Sequence, residues 1–297
     1  MIFNVLLLCG IIANAMPIQE SGPWSKVPEF TNIFAFYTTV GFQYSGSQPN
    51  ASNPIGNPAL PGKTTSGGYN WVDNLVTEYN TSLVLAYDFA IAGATVDGDL
   101  IPPYQPAVKS FVQQVEIFKD HYSNTSGTWD PQNSLFTAWF GMNDIPRGEN
   151  LTDWTTIFRE TIQQYLTQAQ DLYDAGSRYF VFLEVPPLQR TPLISQGSAA
   201  VLNATIFDVD RFNKAIRKGI REFAHHNREA TVWILNTTSV FDKALDNPTA
   251  YGAPDAACYN SNGVSCLWWN NYHPGQAIQK LVAESISRLI KSRVHAI

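Results

Sequence analysis

The sequence predicts an α/β fold in three layers, with helices on both faces of a five-stranded, mostly parallel sheet. Three observations predict it. Short apolar runs rich in β-branched and aromatic residues alternate along the chain with longer stretches of helical periodicity. Hydrophobic residues make up 44% of the 297 residues and charged ones 15%, the composition of a globular chain with a sizeable core. No internal repeat or long low-complexity linker interrupts that alternation.

The elements follow in order. A strand is expected over residues 32–36, then a helix over 71–79 and a strand over 83–89. Helix 106–122 and strand 134–140 come next, followed by helix 153–175, strand 179–185, helix 208–227 and strand 231–235. A last helix is expected over 276–294. Asp153 stands where it can cap the third helix, ahead of an apolar face at Ile157, Ile162 and Leu166, and Gly176 is placed to stop it. Strands joined through helices imply right-handed crossovers and a parallel sheet. Five of them fit the flavodoxin-like order 2-1-3-4-5, which puts a ligand at the carboxyl ends of the strands. Residues 45–69 read as one long irregular loop of Ser, Pro, Asn and Gly, a length that usually shapes a binding site.

The first residues, MIFNVLLLCGIIANAMP, hold an apolar run from Val5 to Ile12 and a small-x-small pattern at Ala13-Asn14-Ala15. They read as a secretory signal peptide, residues 1–15, cut after Ala15 and too short to span a bilayer. Export removes Cys9 and leaves Cys258 and Cys266, whose short turn-rich spacer favours a disulfide in an oxidising compartment. Acceptor sequons begin at Asn50, Asn80, Asn124, Asn150, Asn203 and Asn236, which points to a glycosylated, secreted, extracellular protein of a eukaryote. A net charge of −6 offers no basic footprint for nucleic acid or an anionic membrane, so neither is expected as a partner. No later segment reaches the ~20 apolar residues of a membrane helix.

Three strand ends carry candidate chemistry. Gly93 follows the second strand in FAIAGATVDG, Gly141, Asn143 and Asp144 follow the third in WFGMNDI, and His273-Pro274 precede the last helix in LWWNNYHPGQ. In this order and at these places the motifs resemble those of the GDSL (Ser-Gly-Asn-His, SGNH) hydrolases. More narrowly, the chain is similar to the fungal secreted acetylesterases of carbohydrate esterase family sixteen. The resemblance spans residues 16–297 as a single SGNH hydrolase-like domain and implies an SGNH hydrolase fold. It gives Gly93 and Asn143 the oxyanion-hole positions, as a backbone and a side-chain donor, and gives His273 the general base's. His121, His225, His226 and His295 read as surface residues without metal-ligand spacing, and no metal or cofactor is expected.

The chain departs from that pattern twice. The family's first strand ends in Gly-Asp-Ser, whose Ser is the nucleophile. Here Phe36 runs directly into Tyr37-Thr38-Thr39-Val40-Gly41-Phe42, so both flanks match and three residues between them are missing. Asn270 also stands three residues before His273, where the family has an Asp; an amide carries no charge to stabilise an imidazolium and can favour the wrong tautomer. The family's activity implies a carboxylic ester hydrolase, acting as a monomer on acetylated plant cell-wall oligosaccharides or other small acetyl esters. The chain as written is expected to be poorly active or inactive. The alternative is a carbohydrate-binding pseudoenzyme, while a nucleotide-binding domain is disfavoured because no G-x-G-x-x-G or P-loop occurs.

Overall fold

The computed structural model describes residues 28–37, 45–123 and 127–292. The signal-peptide expectation for residues 1–15 with Cys9, residues 38–42 of the first-strand motif, the Asn124 sequon and His295 lie outside the described residues.

Five strands form one sheet: β1 (Asn32–Phe36), β2 (Leu85–Asp88), β3 (Ser134–Ala138), β4 (Tyr179–Leu183) and β5 (Thr231–Leu235). Their order is β2-β1-β3-β4-β5 and every pairing is parallel. This is the arrangement the alternation predicts. Such a sheet buries both faces, and the two-residue period of each strand sorts its side chains between two cores. Ile33, Ala35, Leu135, Val181, Leu183, Trp233 and Leu235 point to one. Phe34, Phe36, Phe136, Phe180, Phe182 and Val232 point to the other.

The first core is covered by α1 (Trp71–Thr77), α7 (Thr237–Leu245) and α8 (Gln276–Lys291). In α8 the buried residues Ile278, Val282, Ala283 and Ile286 recur at helical spacing and form the stripe that docks on the sheet. The second core lies under α2 (Phe111–His121), α4 (Trp154–Asp174) and α6 (Ala199–His226). Two short helices, α3 (Asp144–Gly148) and α5 (Pro192–Ser195), sit beyond the carboxyl ends of β3 and β4. The second core is the more aromatic. Phe34 stacks on Tyr87 at 4.7 Å and on Phe136 at 4.8 Å, and Phe36 on Phe89 at 5.0 Å. Such pairs add to area burial.

Several expectations are corrected at helix ends. Asp153 does not cap α4: its backbone is left-handed (φ 61°) and its side chain makes no cap bond, so only its carbonyl serves the first turn. Helix α2 begins at Phe111 rather than residue 106, because Ser110 and Gln113 close a capping box there. Helix α6 begins at Ala199 rather than residue 208, capped by the Ser198 hydroxyl. Helix α7 was not anticipated; the Asn236 side chain caps it by accepting the Ser239 N–H, at a position read from sequence only as a sequon. Among the described residues no helix is long and apolar enough to cross a membrane.

Asn50, Asn150, Asn203 and Asn236 are exposed and Asn80 is half-buried. Cys258 and Cys266 are joined in a disulfide.

Candidate active site

The last strand-end motif lies in a loop that is hydrogen-bonded to itself. Main-chain bonds from Gly275 N–H to the Leu267 carbonyl (2.8 Å) and from Trp269 N–H to the His273 carbonyl (2.8 Å) close it on either side of His273. The Cys258–Cys266 bond ties down the segment that leads into it. Within the loop, Asn270 Oδ1 accepts the main-chain N–H groups of Tyr272 (2.9 Å) and His273 (2.7 Å) and faces His273 Nδ1 at 3.1 Å. Two main-chain donors can bind only an oxygen, which fixes how the amide is turned. The atom facing Nδ1 is therefore an acceptor, so Nδ1 carries the proton and Nε2 keeps its lone pair. The sequence-based concern that Asn270 favours the wrong tautomer is not met: what the amide lacks is charge, not orientation. Burial lowers the pKa of His273 further and favours the neutral ring.

Asn143, between β3 and α3, makes no cap bond with its side chain. Its Nδ2 instead donates to the Ala94 carbonyl at 3.0 Å, across to the loop after β2. The neighbouring Asp144 is fully buried and joins the same two loops. One of its carboxylate oxygens accepts the Val96 N–H (2.8 Å) and the other the Gly141 N–H (3.1 Å). Burial raises its pKa to about 7 against those bonds. Gly93 has φ +81°, where a side chain is strained, and a Cβ there would push against the exposed Tyr104 ring at 2.4 Å.

A cavity of about 70 Å³ opens at the carboxyl ends of the strands and brings His273 and Asn143 together. Its walls include Trp71, Trp139, Phe241 and Trp268, and Thr65 comes from the long loop after β1. Gly93 does not line it; the glycine stands one residue from Ala94, behind Asn143. Three of the lining hydroxyls are engaged elsewhere. Tyr272 donates to the Met142 carbonyl (2.6 Å), Thr191 to the Leu188 carbonyl (2.7 Å) and Tyr37 to Asp88 (2.7 Å).

Tyr37 is the residue that follows Phe36, and its surroundings were not foreseen. Its hydroxyl also accepts from Asn70 Nδ2 (2.9 Å), and Asn70 in turn caps α1 in a reciprocal box with Asp73. Burial pushes both Asp88 and Asp73 up to about 7, with the Asp88 charge adding to the shift at Asp73. The Tyr37 phenol is raised well above its ordinary value, by burial first and the Asp88 charge second. A capping-box pattern at Asn70 and Asp73 was the available sequence signal. Nothing local announces their link to Tyr37 or to Asp88.

Comparison with known proteins completes the picture. The model of the GDSL-like lipase/acylhydrolase family matches residues 38–286. An acetylesterase of Thermothelomyces thermophilus is 43% identical over 285 residues, covering 95% of this chain and 94% of the relative. An acetylesterase of Hypocrea jecorina is 23% identical over 91% of this chain and 92% of its own length. Among solved structures, a catalytic mutant of Axe2, an acetylxylan esterase from Geobacillus stearothermophilus, superposes with a TM-score of 0.51. It shares 11% sequence identity, with 89% of this chain and 96% of that one covered.

Proposed function

The chain belongs to the GDSL-like lipase/acylhydrolase family, and from that premise we propose that its cavity is the acyl-ester site of a secreted acetylesterase acting on plant cell-wall oligosaccharides. One observation carries the reading: His273 presents an unprotonated Nε2, held by Asn270 through Nδ1, in the same cavity as the Asn143 amide. A neutral imidazole can take a proton from an attacking hydroxyl and return it to a leaving alcohol. The Asn143 amide suits the oxygen that gains charge in acyl transfer, whereas Gly93, the family pattern's second donor, stands outside the cavity lining. The acetylesterase names of two relatives and the acetylxylan esterase name of the solved structure support an acetyl group as the acyl part. The signal-like start and the exposed sequons support export and glycosylation.

What this chain lacks is a nucleophile at the end of β1. Gly-Asp-Ser is absent between Phe36 and Tyr37, and the Tyr37 hydroxyl is engaged with Asp88 and Asn70. Loss of a serine nucleophile costs roughly 10⁶ in turnover, about 8 kcal/mol of transition-state stabilisation. We therefore read the chain as written as a poorly active or inactive member of a hydrolase family. The same join supports a second reading, a carbohydrate-binding pseudoenzyme that holds an acetylated sugar without turnover. A mis-joined exon boundary is the third account, because both flanks match; the transcript sequence decides it.

The test is p-nitrophenyl acetate hydrolysis by the recombinant chain. The expected result is a rate at background, unchanged by His273→Ala. Hydrolysis that His273→Ala abolishes would overturn the claim of inactivity. Binding of acetylated xylo-oligosaccharide without release of acetate would select the pseudoenzyme.

A further inference from the structure

The first turns of α6 carry an outward face that the catalytic reading does not use. Residues 199–207 hold no charge, and their only polar side chains are Asn203 and Thr205, the two ends of a sequon. Thr205 is 3% exposed, whereas Ile206 is 45% and Phe207 63% exposed.

On a helix, residues three and four positions apart are neighbours. Asn203 therefore has Ala199 and Ala200 on one side and Ile206 and Phe207 on the other, and all four are exposed. Helical side chains lean back over the preceding turn, which brings Ile206 and Phe207 toward Asn203. Arg211 lies against the Phe207 ring, its guanidinium carbon 5.5 Å from the ring centre, and still leaves most of that ring in solvent. Further along the same face the helix turns charged, with Asp210 and Lys214 paired at 2.7 Å. The apolar stretch is thus confined to the turns around one polar residue, and that residue is a glycan acceptor. A cluster of exposed apolar side chains marks a surface that something covers.

We infer that an N-linked glycan on Asn203 is that cover, its first sugar lying on Ile206 and Phe207. In the attaching step the Asn203 amide nitrogen bonds to C1 of an N-acetylglucosamine. The bond from C1 to the oxygen of a lipid-diphosphate donor breaks, and the proton lost by nitrogen leaves with the diphosphate. Thr205 is buried once α6 has packed, so the sequon is legible only before that, in the unfolded chain. The acetamide methyl and C–H face of the sugar suit the Phe207 ring, while its hydroxyls keep to water. The inference rests on reading the chain as exported and glycosylated, and it is independent of the ester chemistry.

The test secretes the full chain from a yeast host and maps the peptide that carries Asn203 by mass. Melting temperatures are then compared for the parent, Asn203→Gln, Phe207→Ala and the double variant. Asn203 is expected to be occupied. Its loss in Asn203→Gln should lower the melting temperature by about 2 °C, the size of one aromatic contact in a chain of this length. In the Phe207→Ala background the same loss should have no further effect. Trimming every glycan to its first sugar with an endoglycosidase should leave the melting temperature where it was.

Equal losses with and without Phe207 would mean a glycan that only solubilises, and would overturn the cover. A bare Asn203 beside glycans at Asn150 or Asn236 overturns it too, and leaves export standing. No glycan at any sequon overturns both. A glycosylated chain that is dimeric, and that Phe207→Ala returns to monomer, would give the face to a second copy and refute the glycan's part.

Discussion

On one flank of the cavity, His273 is held by Asn270, two main-chain bonds and a nearby disulfide, all within one short stretch of chain. On the other flank, β1 ends at Phe36 and passes into Tyr37, which is held from afar. Its hydroxyl meets Asp88 and Asn70, and its carbonyl accepts the Gln114 side-chain amide at 3.2 Å. The base flank is local and self-supporting, whereas the β1 flank depends on partners dozens of residues away. That difference fits the proposal that three residues of the family pattern are missing on one side while the other keeps its geometry. The two halves of the site are stabilised by different contacts and need not fail together.

The sharpest way to break the comparison is to repair the damaged flank. Inserting Gly-Asp-Ser between Phe36 and Tyr37 is expected to raise p-nitrophenyl acetate turnover by about 10⁶, with His273→Ala removing the gain. A gain of less than tenfold, in a variant that still folds, would mean that the β1 exit no longer directs the new serine toward His273.

A smaller effect sharpens the base flank. In that restored background Asn270→Asp supplies the missing charge behind an already correct tautomer. It is expected to raise kcat by well under the roughly 10⁴ that a wrong tautomer costs, and to raise the pKa of His273 in the pH–rate profile. An unchanged profile would show that the amide already does all that the ring requires.

Removing the staple comes next. Cys258→Ser with Cys266→Ser opens a small loop beside His273 and is expected to cost about 2–3 kcal/mol of stability. The measurement is denaturant unfolding, and the shift should carry over to the melting temperature.

The β1 flank is probed last, through pH. Asp73 and Asp88 have folded pKa values raised to about 7, above the carboxylate value of the unfolded chain. Their contribution is full below about pH 4 and is lost as pH rises through 7. The melting temperature should fall across that window, by about 4–8 °C for roughly 2 kcal/mol. Asp88→Asn keeps an acceptor for Tyr37 and should lessen the fall, leaving the share that Asp144, also raised to about 7, contributes. A melting temperature level between pH 4 and 7 refutes the assignment.

Much of the fold was legible because burial imposes a period. The strands at 32–36 and 231–235 were read to the residue, since apolar runs with clear ends leave little choice. The start of α6 was hidden because Val201, Ile206 and Phe207 are exposed, so its first turns bury no continuous stripe. Asp153 misled because residue type alone does not reveal a left-handed backbone. His273, Asn270 and Asn143 stood in short motifs that carry their own spacing, whereas Gly93, read the same way, lies outside the cavity lining. The Trp71 main-chain N–H and the Gln279 side-chain oxygen that accepts it could not be paired from sequence: 208 positions separate them, and only the packing of α1 on α8 brings them together.

Asp144 has one consequence for motion. Its two oxygens bolt the loop after β2 to the loop after β3, through Val96 and Gly141. Asn143 stands next to that bolt and Gly93 three residues before Val96, so the bolt ties the two positions to one another. Cutting the bolt with Asp144→Ala would let the two loops move independently, a change that would reach Asn143 in the cavity wall before any loss of the sheet beneath it.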